Sequence, residues 1–127
     1  MIFFAHRTLR MDIFYYLKSC DTCRRIIKTL NLPDSVVLIN IKENPITADQ
    51  LEVLFSKTNS YAALFNSRAQ LLRKRGLKAS ELSEETMKDL LLEHYSFLKR
   101  PVLMFSDQLF IGNAKATISA AEKALHG

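Results

Sequence analysis

The pattern of apolar positions after residue 11 predicts a strand, a helix and a second strand. Residues 12–17 (DIFYYL) are rich in aromatic and β-branched side chains, a composition typical of a short buried strand. Apolar residues then recur at the spacing of one helical face, at Cys23, Ile26, Ile27 and Leu30. Asn31 and Pro33 end this helix. Residues 36–41 (VVLINI) are a nearly unbroken apolar run, which favours a second strand buried on both faces in a parallel pair. Together the three segments predict a βαβ unit.

Residues 44–98 have helical signals and no strand signal. Thr47 and Gln50 have the spacing of a capping box, so a helix begins there. Gly76 is a helix stop after a basic stretch. Ser83 caps a further helix, and Glu84 and Glu85 suit its positive end. The predicted inner face of that helix consists of Met87, Leu90, Leu91, His94 and Leu98.

The last segment predicts a hairpin and a helix. Residues 101–105 (PVLMF) and 108–112 (QLFIG) are two short strands, and Ser106-Asp107 is short enough for an antiparallel turn. We expect Asn113 to cap the final helix. Its inward positions are Ala114, Ile118, Ala121 and Leu125.

This order of elements favours an α/β thioredoxin-like fold, in which βαβ and ββα parts build a mixed four-stranded sheet around an inserted helical subdomain. We expect a single domain over residues 1–127. Residues 11–43 and 99–127 form the predicted core, and residues 44–98 form the predicted helical insertion. Residues 1–10 are expected to be a non-core extension, with Met11 as an alternative start.

Composition and charge narrow the class of protein. With 127 residues, 48% of them hydrophobic, the chain suits one folded domain. No apolar run reaches the length of a membrane span or forms a signal peptide, so we expect a cytoplasmic protein without a membrane partner. The net charge of +5 includes a basic cluster at Arg73–Arg75, but no aromatic residues are interleaved with it. We therefore expect no direct nucleic-acid binding.

The two cysteines, Cys20 and Cys23, form a C-x-x-C pair where the first strand leads into the first helix. A thiol reacts as its thiolate. The helix N-terminus and the cations Lys18, Arg24 and Arg25 should favour the thiolate of Cys20, against the opposing charge of Asp21. Cys23 belongs to the apolar stripe and should be the more sheltered sulfur. The asymmetry predicts that Cys20 attacks and Cys23 resolves the adduct as a disulfide.

Two other uses of the pair remain open from the sequence. The cysteines can serve as small hydrophobic residues, or they can bind zinc. Zinc prefers four ligands, and the available histidines, His6, His94 and His126, are scattered. We therefore expect no bound metal.

Four segments together resemble the arsenate reductase (ArsC) family, including its Spx and YffB-like branches. The resemblance runs from about Met11 to the C-terminus. The segments are YYLKSCDTCRR, LFNSRAQLLRK, KRPVL and LFIGNA. The C-D-T triplet is most similar to the YffB-like branch, and the second cysteine is similar to the redox switch of Spx.

The resemblance implies roles for individual residues. It implies that Cys20 is the nucleophile and that Arg24, Arg68 and Arg100 bind an anion or substrate. It also implies that Pro101 is the family's active-site cis-proline. The chain departs from the arsenate reductases at two points. No arginine follows Arg100, and Tyr16 stands where they have a histidine, four residues before the cysteine.

Two functions are implied. The first is a small thiol-disulfide oxidoreductase, similar to arsenate reductase, with no bound cofactor. It acts on a small-molecule or glutathionylated substrate, and glutathione, a glutaredoxin or a thioredoxin supplies the electrons. The alternative is a redox-switched transcriptional regulator similar to Spx, which binds RNA polymerase.

Overall fold

The structure is a computed structural model that describes residues 11–127. The predicted extension at residues 1–10 lies outside the described residues. The described chain divides into two compact units, which are residues 11–40 with Arg100–Gly127, and Ile41–Lys99. The second unit begins and ends within a few residues of the predicted helical insertion.

The described residues contain four strands and five α-helices. In chain order they are β1 (Ile13–Tyr16), α1 (Asp21–Leu30), β2 (Val37–Asn40), α2 (Ala48–Thr58), α3 (Gln70–Lys74), α4 (Glu84–Glu93), β3 (Val102–Phe105), β4 (Gln108–Ile111) and α5 (Lys115–His126). Short 3-10 turns lie at Ala79–Glu81 and Tyr95–Phe97. No helix in residues 11–127 combines the length and the apolar character that crossing a membrane requires.

The first unit contains one mixed sheet with the strand order β2-β1-β3-β4. β1 runs parallel to β2 and antiparallel to β3, and β3 runs antiparallel to β4. Phe14 on β1 lies opposite Leu103 on β3, and both belong to a buried cluster. The other buried members of that cluster are Ile26, Leu30, Val36 and Ala121. The predicted α/β class and mixed four-stranded sheet are confirmed.

The expectation that the second strand is buried on both faces is wrong. Among the four described strands, β2 lies at the edge of the sheet and pairs with β1 alone. Val37 is 40% exposed and Leu38 is 49% exposed. An apolar run predicts a strand well, but it does not indicate the position of that strand in the sheet.

The predicted hairpin between β3 and β4 is confirmed. Phe105 pairs with Gln108, and the two residues between them have positive φ angles, 49° at Ser106 and 68° at Asp107. Two successive positive φ angles are typical of a type I′ turn, whose twist matches that of the strands. The Ser106 N–H also donates to Asp12 Oδ1 over 3.0 Å, which ties the turn to the start of β1.

The start of the last helix differs from the prediction. Ala114, not Asn113, is the N-cap residue of α5, and no side chain caps the helix there. Ala114 is exposed. Ala121 is buried as predicted, and Ile118 and Leu125 pack against the core cluster. The far end of α5 is tied to α1, because His126 Nε2 donates to the Leu30 carbonyl over 2.6 Å.

In the second unit the predicted helix starts are confirmed. Thr47 and Gln50 form both bonds of a capping box, and Ser83 Oγ accepts from the Thr86 N–H. The predicted inner face of α4 is correct for Met87, Leu90 and Leu91, which are buried. His94 and Leu98 lie beyond the helix, which ends at Glu93, although Leu98 is buried as predicted. His94 has φ −149° and caps the following 3-10 turn.

Candidate active site

Cys20 is the N-cap residue of α1. A tight turn leads into it from β1, closed by the bond from the Cys20 N–H to the Leu17 carbonyl at 3.0 Å. The Cys20 carbonyl then accepts from the Arg24 N–H at 3.1 Å. The residue is partly exposed, and it lies where the first helical N–H groups have no partner within the helix. Cys20 therefore lies at the strand-to-helix junction, where the sequence placed it.

The surroundings of Cys20 favour its thiolate. Partial burial alone raises its pKa, but hydrogen bonds from the Cys23 backbone, the Cys23 thiol and the Thr22 backbone, together with the charge of Arg100, outweigh that effect. The pKa of Cys20 is therefore lowered from its ordinary value. The sequence assigned part of this effect to Lys18, Arg24 and Arg25, whereas the positive charge that acts here is that of Arg100.

Cys23 has the opposite character. The residue is completely buried on the inner side of α1. Burial raises the pKa of Cys23 to about 11, and the negative charge on Cys20 adds to the rise. One sulfur of the pair is thus partly exposed and has a lowered pKa, and the other is buried and has a raised pKa. This asymmetry agrees with the division of labour that the sequence predicts.

Within residues 11–127, two buried guanidinium nitrogens of Arg100, Nε and Nη1, have no hydrogen-bond partner. Its charge lowers the pKa of both cysteines, so the guanidinium acts electrostatically on the pair. Buried donors without partners are rare, because each one costs about 1–3 kcal/mol. Such donors beside a thiolate are suited to bind an acceptor atom of a ligand.

The bond between Arg100 and Pro101 is cis, which is the isomer that the resemblance implied. Pro101 is buried and leads directly into β3, the neighbour of β1. Its carbonyl accepts from the Gly112 N–H at 2.8 Å. The chain therefore holds Arg100 at the start of β3, beside the strand that leads to Cys20.

Arg24 has partners within the protein. Its Nη1 donates to the Lys18 carbonyl over 2.9 Å, and its Nη2 forms an ion pair with Asp21. The guanidinium therefore bridges the first turn of α1 and the loop before it. The same ion pair engages Asp21, whose negative charge was expected from the sequence to disfavour the thiolate.

A model described as the ArsC family matches residues 15–121, which is most of the chain. The chain belongs to the ArsC family. It is 30% identical over 104 residues to the global transcriptional regulator Spx of Streptococcus mutans, covering 80% of this chain and 76% of that protein.

Two solved structures share this ArsC-family fold. A related protein from Bacteroides fragilis, described as ArsC family related, has a TM-score of 0.72 at 18% identity, covering 87% of this chain and 98% of that one. A protein titled YFFB has a TM-score of 0.70 at 22% identity, covering 91% of this chain and 99% of that one. The resemblance stated from the sequence and the thioredoxin-like fold are confirmed.

The remaining predicted arginine of the ArsC pattern, Arg68, belongs to the second unit. Its side chain is exposed, and its backbone N–H donates to Asn66 Oδ1 over 3.1 Å. The anion-binding roles of Arg24 and Arg68 remain predictions. Among residues 11–127, no three His, Cys, Asp or Glu side chains are grouped so that they could hold a metal ion.

Sequence reasoning missed Asn40 at this site. It is the last residue of β2, and its Oδ1 accepts from the Lys18 N–H over 3.1 Å. A single asparagine at the end of an apolar run has no distinctive signal. Its contact with the cysteine loop depends on the parallel register in which Tyr16 lies opposite Asn40.

Proposed function

We propose that this ArsC-family protein is a thiol-disulfide oxidoreductase, with Cys20 as nucleophile and Cys23 as resolving thiol. The observation that carries the proposal is the opposite character of the two sulfurs, with a lowered pKa at Cys20 and a pKa of about 11 at Cys23. Only the thiolate attacks a disulfide, so the pair has a defined order of reaction.

In the first step the Cys20 thiolate attacks a sulfur of a disulfide substrate. The substrate S–S bond breaks, a Cys20–substrate disulfide forms, and the leaving thiolate takes a proton from water. The unpartnered N–H groups of Arg100 support this step by donating to an acceptor atom of the bound substrate.

In the second step Cys23 loses its proton and attacks the Cys20 sulfur. The mixed disulfide breaks, the second thiol leaves, and a Cys20–Cys23 disulfide remains, so two electrons have passed to the substrate. The first step prepares this one. The charge of Cys20 raises the pKa of Cys23, and that charge disappears when Cys20 becomes part of a disulfide.

We propose a glutathione mixed disulfide as the preferred substrate over arsenate. Arg100 is the cation that acts on the thiol pair, and Arg24 is already engaged by Asp21 and the Lys18 carbonyl. A tetrahedral oxyanion with two charges is suited to several guanidinium groups. Glutathione, a glutaredoxin or a thioredoxin restores the dithiol, which suits a reducing cytoplasm.

Single-turnover reaction with a glutathionylated peptide tests the proposal. We expect the wild-type chain to release peptide thiol and glutathione and to end with a Cys20–Cys23 disulfide. Cys23→Ser should stop at a mixed disulfide on Cys20, visible as an added mass. Cys20→Ser should release nothing. Equal release by Cys20→Ser and the wild type contradicts the assignment of the nucleophile.

A second candidate function is a redox-switched regulator that binds RNA polymerase. It is favoured by the relative named as the global transcriptional regulator Spx, at 30% identity. Here the disulfide changes the surface around Cys20 instead of completing a turnover. Co-purification of the chain with RNA polymerase, altered by a reductant and absent in Cys20→Ser, supports the regulator. Turnover of the peptide without such binding supports the enzyme.

A further inference from the structure

The turn before Cys20 is held from two sides at one residue, Lys18. On the strand side, Asn40 Oδ1 accepts from the Lys18 N–H over 3.1 Å. On the helix side, Arg24 Nη1 donates to the Lys18 carbonyl over 2.9 Å. The backbone N–H and the backbone carbonyl of Lys18 are therefore both hydrogen-bonded to side chains from outside the turn, although the residue is exposed.

Each contact has a clear origin in the fold. Tyr16 and Asn40 are the last paired residues of the β1–β2 ladder. The Asn40 side chain continues this pairing beyond the end of the ladder, because it accepts the N–H of a residue that no longer lies in the strand. Arg24 lies one turn inside α1, and the ion pair with Asp21 holds its guanidinium toward the loop.

We propose that Asn40 and Arg24 are positioning residues that hold the turn at Lys18 and thereby keep the Cys20 sulfur at the N-terminus of α1. The proposal rests on the proposed function, in which Cys20 is the nucleophile. It also gives Arg24 a role in placing the thiol that is distinct from binding an anion.

The physical consequence follows from the short connection between Lys18 and Cys20. Lys18 lies inside the turn that the bond from the Cys20 N–H to the Leu17 carbonyl closes. Because Lys18 and Cys20 share this turn, we expect a movement of Lys18 to displace Cys20. The N–H groups of Thr22 and Cys23 stabilise the thiolate only while the sulfur remains near them. Hydrogen bonds weaken steeply with distance and angle, so a loosened turn should reduce the ionisation of Cys20.

The test compares four variants by the pH midpoint of Cys20 alkylation with iodoacetamide, resolved by mass spectrometry. Asn40→Ala and Arg24→Met each remove one contact to Lys18. We expect each to move the Cys20 midpoint upward by about half a pH unit. Asn44→Ala and Arg25→Met are matched controls that should leave it unchanged, because Asn44 is exposed and the Arg25 side chain donates to the Thr22 hydroxyl instead of to Lys18.

Asn40 is the decisive position, because it is uncharged. An upward shift in Arg24→Met alone is explained by the loss of a nearby cation, whereas a shift in Asn40→Ala is not. A folded Asn40→Ala chain with the wild-type midpoint overturns the proposal. A wild-type midpoint at or above that of an ordinary thiol instead overturns the proposed function, so the two failures are distinguishable.

Amide hydrogen exchange in the wild-type chain provides a test that does not depend on the folding of a variant. The Lys18 N–H should exchange more slowly than the N–H of the neighbouring exposed Ser19, because Asn40 holds the former. Equal exchange of the two amides in the reduced protein contradicts the contact and with it the proposal.

Discussion

At the scale of single residues, Arg100 is a cation beside the thiol pair whose hydrogen-bond donors are only partly used in the free protein. Two of its nitrogens are buried and find no partner in the part of the chain that the structure describes, and its charge favours both thiolates. A residue of this kind lowers stability and supports function, which is a common conflict at active sites.

Replacing Arg100 by methionine should separate these two effects. Arg100→Met removes the unpartnered donors, so the reduced chain should become more stable by about 1 kcal/mol, or roughly 3 °C in Tm. The same change should raise the alkylation midpoint of Cys20, because the favourable charge is lost. Arg73→Met, which removes an exposed arginine, is the control for net charge. A clear fall in Tm contradicts the assignment of Arg100 as an unsatisfied group.

A second residue-scale prediction concerns alkaline pH. Burial raises the pKa of Tyr15 from 10.0 to about 12. Between these values the folded chain retains a proton that the unfolded chain has lost, so stability falls as the pH rises. Tyr15→Phe should remove the contribution of Tyr15 to this loss of unfolding free energy, which amounts to about 1 kcal/mol at pH 11. Urea unfolding at several pH values measures it, and an unchanged slope above pH 10 contradicts the prediction.

At the scale of elements, local signals predicted two helix starts and a turn correctly, whereas the cap predicted at Asn113 was wrong. The capping box at Thr47, the cap at Ser83 and the Ser106-Asp107 turn are confirmed because each depends on residues within a few positions of one another. Long-range features were missed. The exposure of Leu38 depends on strand order, and the contact of Asn40 depends on register.

Glu84 illustrates the same limit and gives an element-scale prediction. The sequence placed it at the positive end of α4, but its carboxylate also accepts from the Tyr61 N–H at 2.6 Å and the Ala62 N–H at 3.0 Å. These bonds lower its pKa and tie α4 to the segment after α2. Glu84→Ala should therefore lower Tm more than Glu85→Ala, which alters the same helix end. Equal Tm values for the two variants at neutral pH contradict this role.

At the scale of the whole molecule, the fold and the family could be predicted from the sequence. The details of the candidate site could be predicted only in part. A C-x-x-C pair between a strand and a helix predicts which cysteine is accessible to a substrate. The first cysteine lies at the helix start, and the second belongs to the apolar stripe and is sheltered. Local sequence alone did not identify the source of the positive charge. Lys18, Arg24 and Arg25 lie close to the pair along the chain, whereas the charge that lowers the pKa of Cys20 is that of Arg100, 80 residues away, which only the family resemblance had assigned to the site.

The central claim is that the pKa of Cys20 lies below that of an ordinary thiol and the pKa of Cys23 lies above it. Alkylation of the reduced wild-type chain over a range of pH, with the two cysteines resolved by mass spectrometry, measures this most directly. We expect Cys20 to react first, with a midpoint below the ordinary thiol value, and Cys23 to react with a midpoint above that value, because burial still raises its pKa after Cys20 has been alkylated. A reversed order, or a common midpoint at the ordinary thiol value, contradicts it.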